Sequence, residues 1–161
     1  MMRMILATWL LVLVVAAPVS AEPRWPDQGW QVTPTSLSYD NLLEALQEAV
    51  EAEGMFVVTE AGPTVAAANR GITIPGNRVV GVFRNDYAVR ILRLSVPAMI
   101  EAPMRFYVTE NDDGSATLSW KTPTHLLEPY LDTAGEELET VGRELDTLFA
   151  AIAKRATEES E

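Results

Sequence analysis

The residues best placed for chemistry form a short polar cluster, Arg84–Tyr87 (Arg-Asn-Asp-Tyr), between the apolar run Val79–Phe83 and a helical pattern. Binding sites often form where a buried strand passes into a helix, and the free N–H groups of a helix N terminus attract anions. Arg105, on a neighbouring predicted strand, adds a second positive charge unless it is solvated. The predicted ligand-binding residues are Arg84, Asn85, Tyr87 and Arg105. A simpler interpretation is that Asn85 or Asp86 only caps the helix.

No set of residues with the spacing of a catalytic or metal site accompanies this cluster. His125 is the single histidine, and metal sites need several ligands. The run Asn111–Gly114 lacks the ligand spacing of an EF-hand and has the composition of a tight turn. Neither a glycine-rich phosphate loop nor a nucleophile elbow is present. We predict no catalytic residue, metal ion or cofactor, and we keep a hydrolase or isomerase with a polar pocket at Arg84–Tyr87 as the alternative.

The first 21 residues have the three parts of a secretory signal. A short start containing Arg3 leads into an apolar run, Ile5–Ala17, which is followed by Pro18 and the small residues Val19–Ala21. We predict cleavage after Ala21 and an exported protein, periplasmic or secreted. The alternative is a membrane anchor, but a spanning helix needs about 20 apolar residues and this run is shorter. No cysteine is present to carry a lipid, and no later stretch is long and apolar enough to span a bilayer, so we predict no stable membrane insertion after processing.

The charge balance argues against two kinds of partner. The chain has 12 basic and 23 acidic residues, a formal net charge of −11. Nucleic-acid binding needs clustered Lys and Arg, and anionic lipid surfaces also attract basic segments. We therefore predict no nucleic-acid partner. The absence of cysteine also excludes disulfides, so the exported domain must be held together by its hydrophobic core.

Apolar periodicity predicts strands and helices that do not alternate strictly. The clearest helix runs from an N-cap at Ser38 to Gly54, and the clearest β signal is a hairpin of Met104–Glu110 and Ala116–Lys121. The other predicted elements are an edge strand at Gln31–Leu37, strands at Met55–Thr59 and Val79–Phe83, a short helix at Val65–Asn69, a helix ended by Pro97, and a long helix at Ala134–Ala156. This order predicts an α+β domain with a single mixed β-sheet and packed helices.

The predicted C-terminal helix is amphipathic. Its apolar stripe includes Leu138, Leu145, Leu148 and Phe149. The stripe is predicted to cover the sheet, as the apolar face of a surface helix usually does. A coiled-coil or dimer role is the alternative, although the pattern covers only about two heptads.

Several motifs of the sequence resemble those of the DUF302 family. They are a helix-then-strand opening at Tyr39–Gly54 and Met55–Glu60, a buried strand with an Asn-containing loop at Val79–Asn85 (VVGVFRN), and an ending with Ala102–Val108, the turn Asn111–Gly114 and Ser119-Trp120. The likeness covers roughly residues 35–131. Asp86 stands where proline is common in the family.

The resemblance implies a small α+β domain that associates as a dimer, with no established biochemical activity and no catalytic residues to carry over. We divide the chain into a signal peptide (1–21), an extended leader (22–34), a DUF302-like domain (35–131) and a C-terminal helix with a polar tail (132–161). The leading hypothesis is an exported, non-enzymatic module that binds a small molecule or a partner protein, and we expect it to form a homodimer. A structural dimerisation module that uses the terminal helix is a further alternative.

Overall fold

The computed structural model describes residues 23–158. The predicted signal peptide, residues 1–21, lies outside the described residues. The strands are β1 (Trp30–Ser38), β2 (Phe56–Ala61), β3 (Asn77–Phe83), β4 (Met104–Glu110) and β5 (Ser115–Lys121). The helices are α1 (Tyr39–Ala52), α2 (Thr64–Ala68), α3 (Asn85–Leu94), α4 (Pro123–Leu127) and α5 (Leu131–Thr157), with 3-10 turns at Pro97–Glu101 and Glu128–Tyr130. Among the described residues, no helix is long and apolar enough to cross a membrane.

The five strands form one sheet in the order β1-β5-β4-β3-β2. The prediction of an α+β domain with a single sheet and packed helices is confirmed. Its pairing is antiparallel throughout, however, so the expectation of a mixed sheet is wrong. The crossover through α1 does make β1 and β2 run in the same direction. Because these two strands occupy opposite edges, the three strands between them prevent a parallel pair.

Helix α1 begins and ends as its sequence predicts. The Ser38 hydroxyl accepts a hydrogen bond from the Asn41 N–H at 3.3 Å, which caps the first turn. At the other end Gly54 has φ 75°, and the Met55 N–H donates to the Val50 carbonyl at 2.9 Å. This left-handed ending satisfies the last carbonyls of the helix and turns the chain directly into β2.

Helices α1 and α5 pack on one face of the sheet, here called the inner face. Its central residues are Val80, Val82, Met104, Phe106, Val108 and Leu118. Helix α1 buries Leu42, Leu46, Ala49 and Val50 in this core, and helix α5 buries Leu138, Leu145, Phe149 and Ile152. The stripe of α5 therefore covers the sheet, as predicted. Because these side chains are buried within the chain, the alternative of a coiled coil through the same stripe is wrong.

The opposite face, here called the outer face, carries the N-terminal segment. Trp25 packs against Trp30 and Tyr107, with ring centroids 5.3 and 6.1 Å away. Ser119, which lies opposite Tyr107 in the sheet, is fully buried although it points away from the helices. Within the predicted extended leader (22–34), β1 begins at Trp30, and Trp25 covers part of the outer face. Pro34 lies on an edge strand, where the sequence placed it.

Candidate functional site

The predicted Arg84–Tyr87 cluster lies where β3 passes into α3, and its charges are paired with each other. Arg84 Nε donates to Asp86 Oδ1 at 2.8 Å, and a second nitrogen donates to Oδ2 at 3.0 Å. The Arg84 guanidinium carbon also lies 4.4 Å from the centroid of the Tyr87 ring. The hydrogen bonds from Arg84 hold the pKa of Asp86 below its ordinary value. The Arg84 guanidinium is therefore already paired with Asp86 and packed on the Tyr87 ring.

Tyr87 also contacts a second arginine, Arg90. Arg90 contacts the ring at 5.3 Å and binds both carboxylate oxygens of Glu144 on α5, at 2.6 and 3.1 Å. Burial, opposed by Arg84 and reinforced by Glu144, raises the pKa of the Tyr87 phenol. The hydrogen bonds from Arg90 lower the pKa of Glu144. These contacts link α3 to α5, so the role of these side chains in the structure is to hold the two helices together.

The space beside the cluster suits apolar side chains and not a polar ligand. The cavity there has a volume of about 30 Å³, and its walls include Met55, Ile91 and Met104. Asn85 is the first residue of α3, and its exposed side chain makes no hydrogen bond to the described residues. Within residues 23–158, the cavity beside the cluster is therefore small and apolar, unlike the polar pocket predicted for a hydrolase or isomerase.

Arg105 lies apart from the other three predicted site residues. It pairs with Gly81 in the sheet and is exposed, whereas its neighbours Met104 and Phe106 point into the core. Because side chains alternate along a strand, Arg105 belongs to the outer face. The structure therefore brings Arg84 and Tyr87 together and places Arg105 on the other side of the sheet.

A larger concave surface, here called the outer cleft, lies on the outer face beside β1. Its volume is about 780 Å³. Trp25, Val32 and Pro34 form an apolar wall, and the polar wall is formed by Thr109, Asn111, Asp112, Asp113 and Thr117. Pro34, Thr117 and Thr109 lie in register across β1, β5 and β4, so the two walls meet on adjacent strands of the sheet.

The polar wall is fixed by the turn between β4 and β5. Thr117 Oγ1 donates to Asn111 Oδ1 at 3.0 Å, and Asn111 Nδ2 donates to Ser115 Oγ at 2.9 Å. The Ser115 N–H and hydroxyl both donate to Asp113 Oδ1, at 2.9 and 2.6 Å, which lowers the pKa of Asp113. The predicted turn at Asn111–Gly114 therefore also builds one side of the outer cleft.

Two polar groups of the outer cleft are left available. Within residues 23–158, neither the Thr109 hydroxyl nor the Asp112 carboxylate makes a hydrogen bond to another residue. Asp112 is exposed, and Thr109 is half-buried. A ligand in the outer cleft therefore meets a free hydroxyl and a free carboxylate.

Sequence reasoning missed the outer cleft because its two walls are far apart in the chain. The N-terminal segment supplies Trp25, and the turn supplies Asp112. The available signal was compositional: two tryptophans and two prolines lie within the short polar stretch 22–31, where bulky aromatic side chains need a surface to cover. The polar wall comes next to this segment only through the pairing of β1 with β5, which the sequence motifs do not indicate.

Other chemistry-bearing residues form no metal site in the part of the chain that the structure describes. No group of three His, Cys, Asp or Glu side chains comes together in residues 23–158. The ring of His125 packs on Gly29, and its Nδ1 lies 3.5 Å from Glu128. This position suits the link residue that the sequence predicted.

Comparisons with known proteins agree with the motifs. A family model described as "Domain of unknown function DUF302" matches residues 31–152. No curated protein matches the chain. A solved structure, described as the crystal structure of an uncharacterized conserved protein DUF302 from Bacillus stearothermophilus, has the same fold. Its TM-score is 0.71 at 19% sequence identity, over 80% of this chain and 98% of that chain.

The family match is wider than the resemblance drawn from the motifs. It begins within β1 and continues through most of α5. Helix α5 is therefore part of the shared fold, and its burial against α1 and the sheet gives the physical reason. The chain belongs to the DUF302 family.

Proposed function

We propose that this protein is an exported, non-enzymatic module that binds a small molecule in the outer cleft. The observation that carries the proposal is a cleft of about 780 Å³ with a fixed indole on one wall and unpaired polar groups, Thr109 and Asp112, on the other. Small-molecule sites are concave, mostly apolar and supplied with a few placed polar groups. The outer cleft is concave and sets an apolar wall opposite placed polar groups, and seven of its eleven described lining residues are polar.

Export rests on the sequence of the first 21 residues. The order of a basic start, an apolar run and small residues supports cleavage after Ala21 and release to the periplasm or the medium. The processed chain then begins close to Pro23 and Trp25, which line the outer cleft. Expression with the native N terminus, followed by cell fractionation and N-terminal sequencing, tests this part. Recovery of the uncleaved chain from the cytoplasm would contradict it.

The ligand site can be tested without knowing the ligand. The processed chain, labelled with ¹⁵N, is titrated with a fragment library containing neutral hydroxylated compounds, amines and carboxylates. We expect backbone shifts that cluster on Thr109, Asn111 and Thr117. Shifts confined to another surface, or no shifts with any fragment, would contradict a site in the outer cleft.

Variants sharpen this experiment. Thr109→Val and Asp112→Asn remove the two free polar groups and should abolish the shifts caused by the best fragment. Thr59→Val is the matched control, because Thr59 also belongs to the outer face but lies at the opposite edge of the sheet, paired with Gly81. Equal losses in all three variants would show that the fragment does not recognise the outer cleft.

A second candidate function is assembly of two copies through β2. This strand is an edge of the sheet, and its Phe56 and Val58 side chains are 65% and 49% exposed. Sheet edges are usually protected by charge, proline or a covering segment. We infer that β2 pairs with β2 of a second copy, which would bury these side chains.

Light scattering on the processed chain tests the dimer. We expect a dimer mass for the parent chain and a monomer for Val58→Lys. Val65→Lys is the control, because Val65 is also highly exposed but belongs to α2. A parent chain that is a monomer at high micromolar concentration would overturn this candidate.

A further inference from the structure

We infer that the ligand of the outer cleft is a neutral saccharide. This inference rests on the proposed function, since it names the class of molecule that the same cleft binds. It is carried by three properties of the lining: its charge, the hydrogen-bonding groups left free, and the position of the indole.

The charge of the lining excludes anions. Its ionisable side chains among residues 23–158 are Asp112 and Asp113, and no Lys, Arg or His contributes to it. The whole chain has a formal net charge of −11, so the surrounding field is also negative. A phosphate, a sulfate or a carboxylate would be repelled by these side chains and would find no basic side chain among the described residues of the lining.

The free hydrogen-bonding groups match hydroxyl groups. Asp112 can only accept hydrogen bonds, whereas the Thr109 hydroxyl can both donate and accept. A sugar hydroxyl can donate to Asp112 while a second one accepts from Thr109. The neighbouring polar side chains are already engaged in the chain from Thr117 through Asn111 to Ser115, so they are held in place beside the ligand.

The apolar wall suits the C–H face of a sugar ring. Trp25 is the aromatic residue of the lining, and its indole is held by Trp30 and by Tyr107, which it meets at an interplanar angle of 74°. A side chain that is already in place loses little conformational entropy when the ligand arrives. An apolar platform opposite a hydroxyl and a carboxylate matches a molecule with apolar faces and polar edges.

An organic cation is the competing occupant, since indoles and carboxylates attract cations. Asp113 keeps its negative charge while its Oδ1 accepts two hydrogen bonds from Ser115, so both aspartates attract a cation. A quaternary cation, however, offers no hydrogen bond to the Thr109 hydroxyl or to Asp112, whereas saccharide hydroxyls can pair with both groups. We therefore assign the cleft to a neutral hydroxylated ligand and make the cation an outcome of the test.

The test uses the processed chain and calorimetric titration with named probes. Maltotriose, cellotriose and tri-N-acetylchitotriose represent neutral saccharides; tri-galacturonic acid is the anionic counterpart, and tetramethylammonium is the cation. We expect at least one neutral trisaccharide to bind and to change the tryptophan fluorescence. Trp25→Ala and Asp112→Asn should each weaken that binding by about tenfold or more. Thr59→Val should leave it unchanged.

The outcomes separate this inference from the proposed function. Binding of tetramethylammonium or tri-galacturonic acid without binding of any neutral trisaccharide would overturn the saccharide assignment, even if the fragment shifts still cluster in the outer cleft. If neither probes nor fragments perturb the outer cleft, both the assignment and the proposed function fail. Asp112→Asn keeps the test decisive if Trp25→Ala loosens the N-terminal segment, because Asp112 is exposed and is not used by the fold.

Discussion

Phe106 on β4 and Phe149 on α5 are stacked in the core, with ring centroids 4.6 Å apart and planes inclined by 18°. Both side chains are fully buried. This contact joins the middle of the sheet to the last helix, so we expect Phe149→Ala to lower the free energy of unfolding by about 3–5 kcal/mol. Urea unfolding followed by circular dichroism measures the loss.

The matched control for this core substitution is Leu92→Ala. Leu92 lies on α3 and is 47% exposed, so its truncation should change the free energy of unfolding by much less, about 0.5 kcal/mol. A small loss for Phe149→Ala, similar to that of the control, would mean that α5 does not close the core as described.

The start of α4 is held by Asp146 of α5. Its carboxylate accepts from the Thr124 N–H at 3.0 Å and from the Thr124 hydroxyl at 2.7 Å. Asp146→Ala leaves both donors without this partner at a half-buried position, so we expect a loss of about 1–3 kcal/mol in urea unfolding. Thr147→Ala, at the exposed neighbouring position, should have little effect. Equal effects of the two changes would remove Asp146 from its capping role.

The pair Arg90–Glu144 should make stability depend on pH in one direction. Arg90 lowers the pKa of Glu144 in the folded chain, so the native state binds this proton less readily than the unfolded state. Its contribution is present above the unfolded pKa and is lost as the pH falls through the folded pKa. Both side chains are partly exposed, so the contribution is small.

Urea midpoints measured from about pH 7 to about pH 2 test this linkage. We expect the parent chain to be more stable than Glu144→Gln at neutral pH and the difference to disappear in acid. Arg90→Gln should flatten the same part of the profile, because either change removes the pair. A difference that persists unchanged at the lowest pH would contradict the assignment.

Gly29 anchors the N-terminal segment through a restricted geometry. Its φ is 71°, and a Cβ there would lie 2.2 Å from two carbons of the His125 ring. We expect Gly29→Ala to destabilise the fold by more than Gly71→Ala. Gly71 has a similar φ of 74° but open space around it, so it isolates the cost of the left-handed backbone, about 1–2 kcal/mol. Equal losses in urea unfolding would show that His125 moves aside without cost.

Local signals in the sequence predicted much of the fold. The capped helix from Ser38, the hairpin around Asn111–Gly114 and the apolar stripe of α5 all form as expected, because each depends on neighbouring residues. The strand order was not predictable in this way. It depends on β1 pairing with β5, a contact between residues distant in the chain that has no local signature.

In the candidate site too, features set by neighbouring residues were predicted and those set by distant contacts were not. The position of Arg84–Tyr87 between a strand and a helix was correctly predicted, but the pairing of Arg84 with Asp86 and of Arg90 with Glu144 depends on rotamers and on α5. The alternation of Arg105 with buried Phe106 did indicate its separate face. The outer cleft could not be predicted, because it exists only once the N-terminal segment lies on the completed sheet.

The strand order has a consequence for how the chain reaches its native state. β1 leaves the ribosome first among the strands, yet its partner is β5, the last strand of the sheet. The edge of the sheet at β1 therefore stays unpaired until nearly the whole sheet has been synthesised, whereas the pairs β2–β3, β3–β4 and β4–β5 join strands that follow one another in the chain. The first and the last strand of the sheet therefore have to be present together before this edge can close.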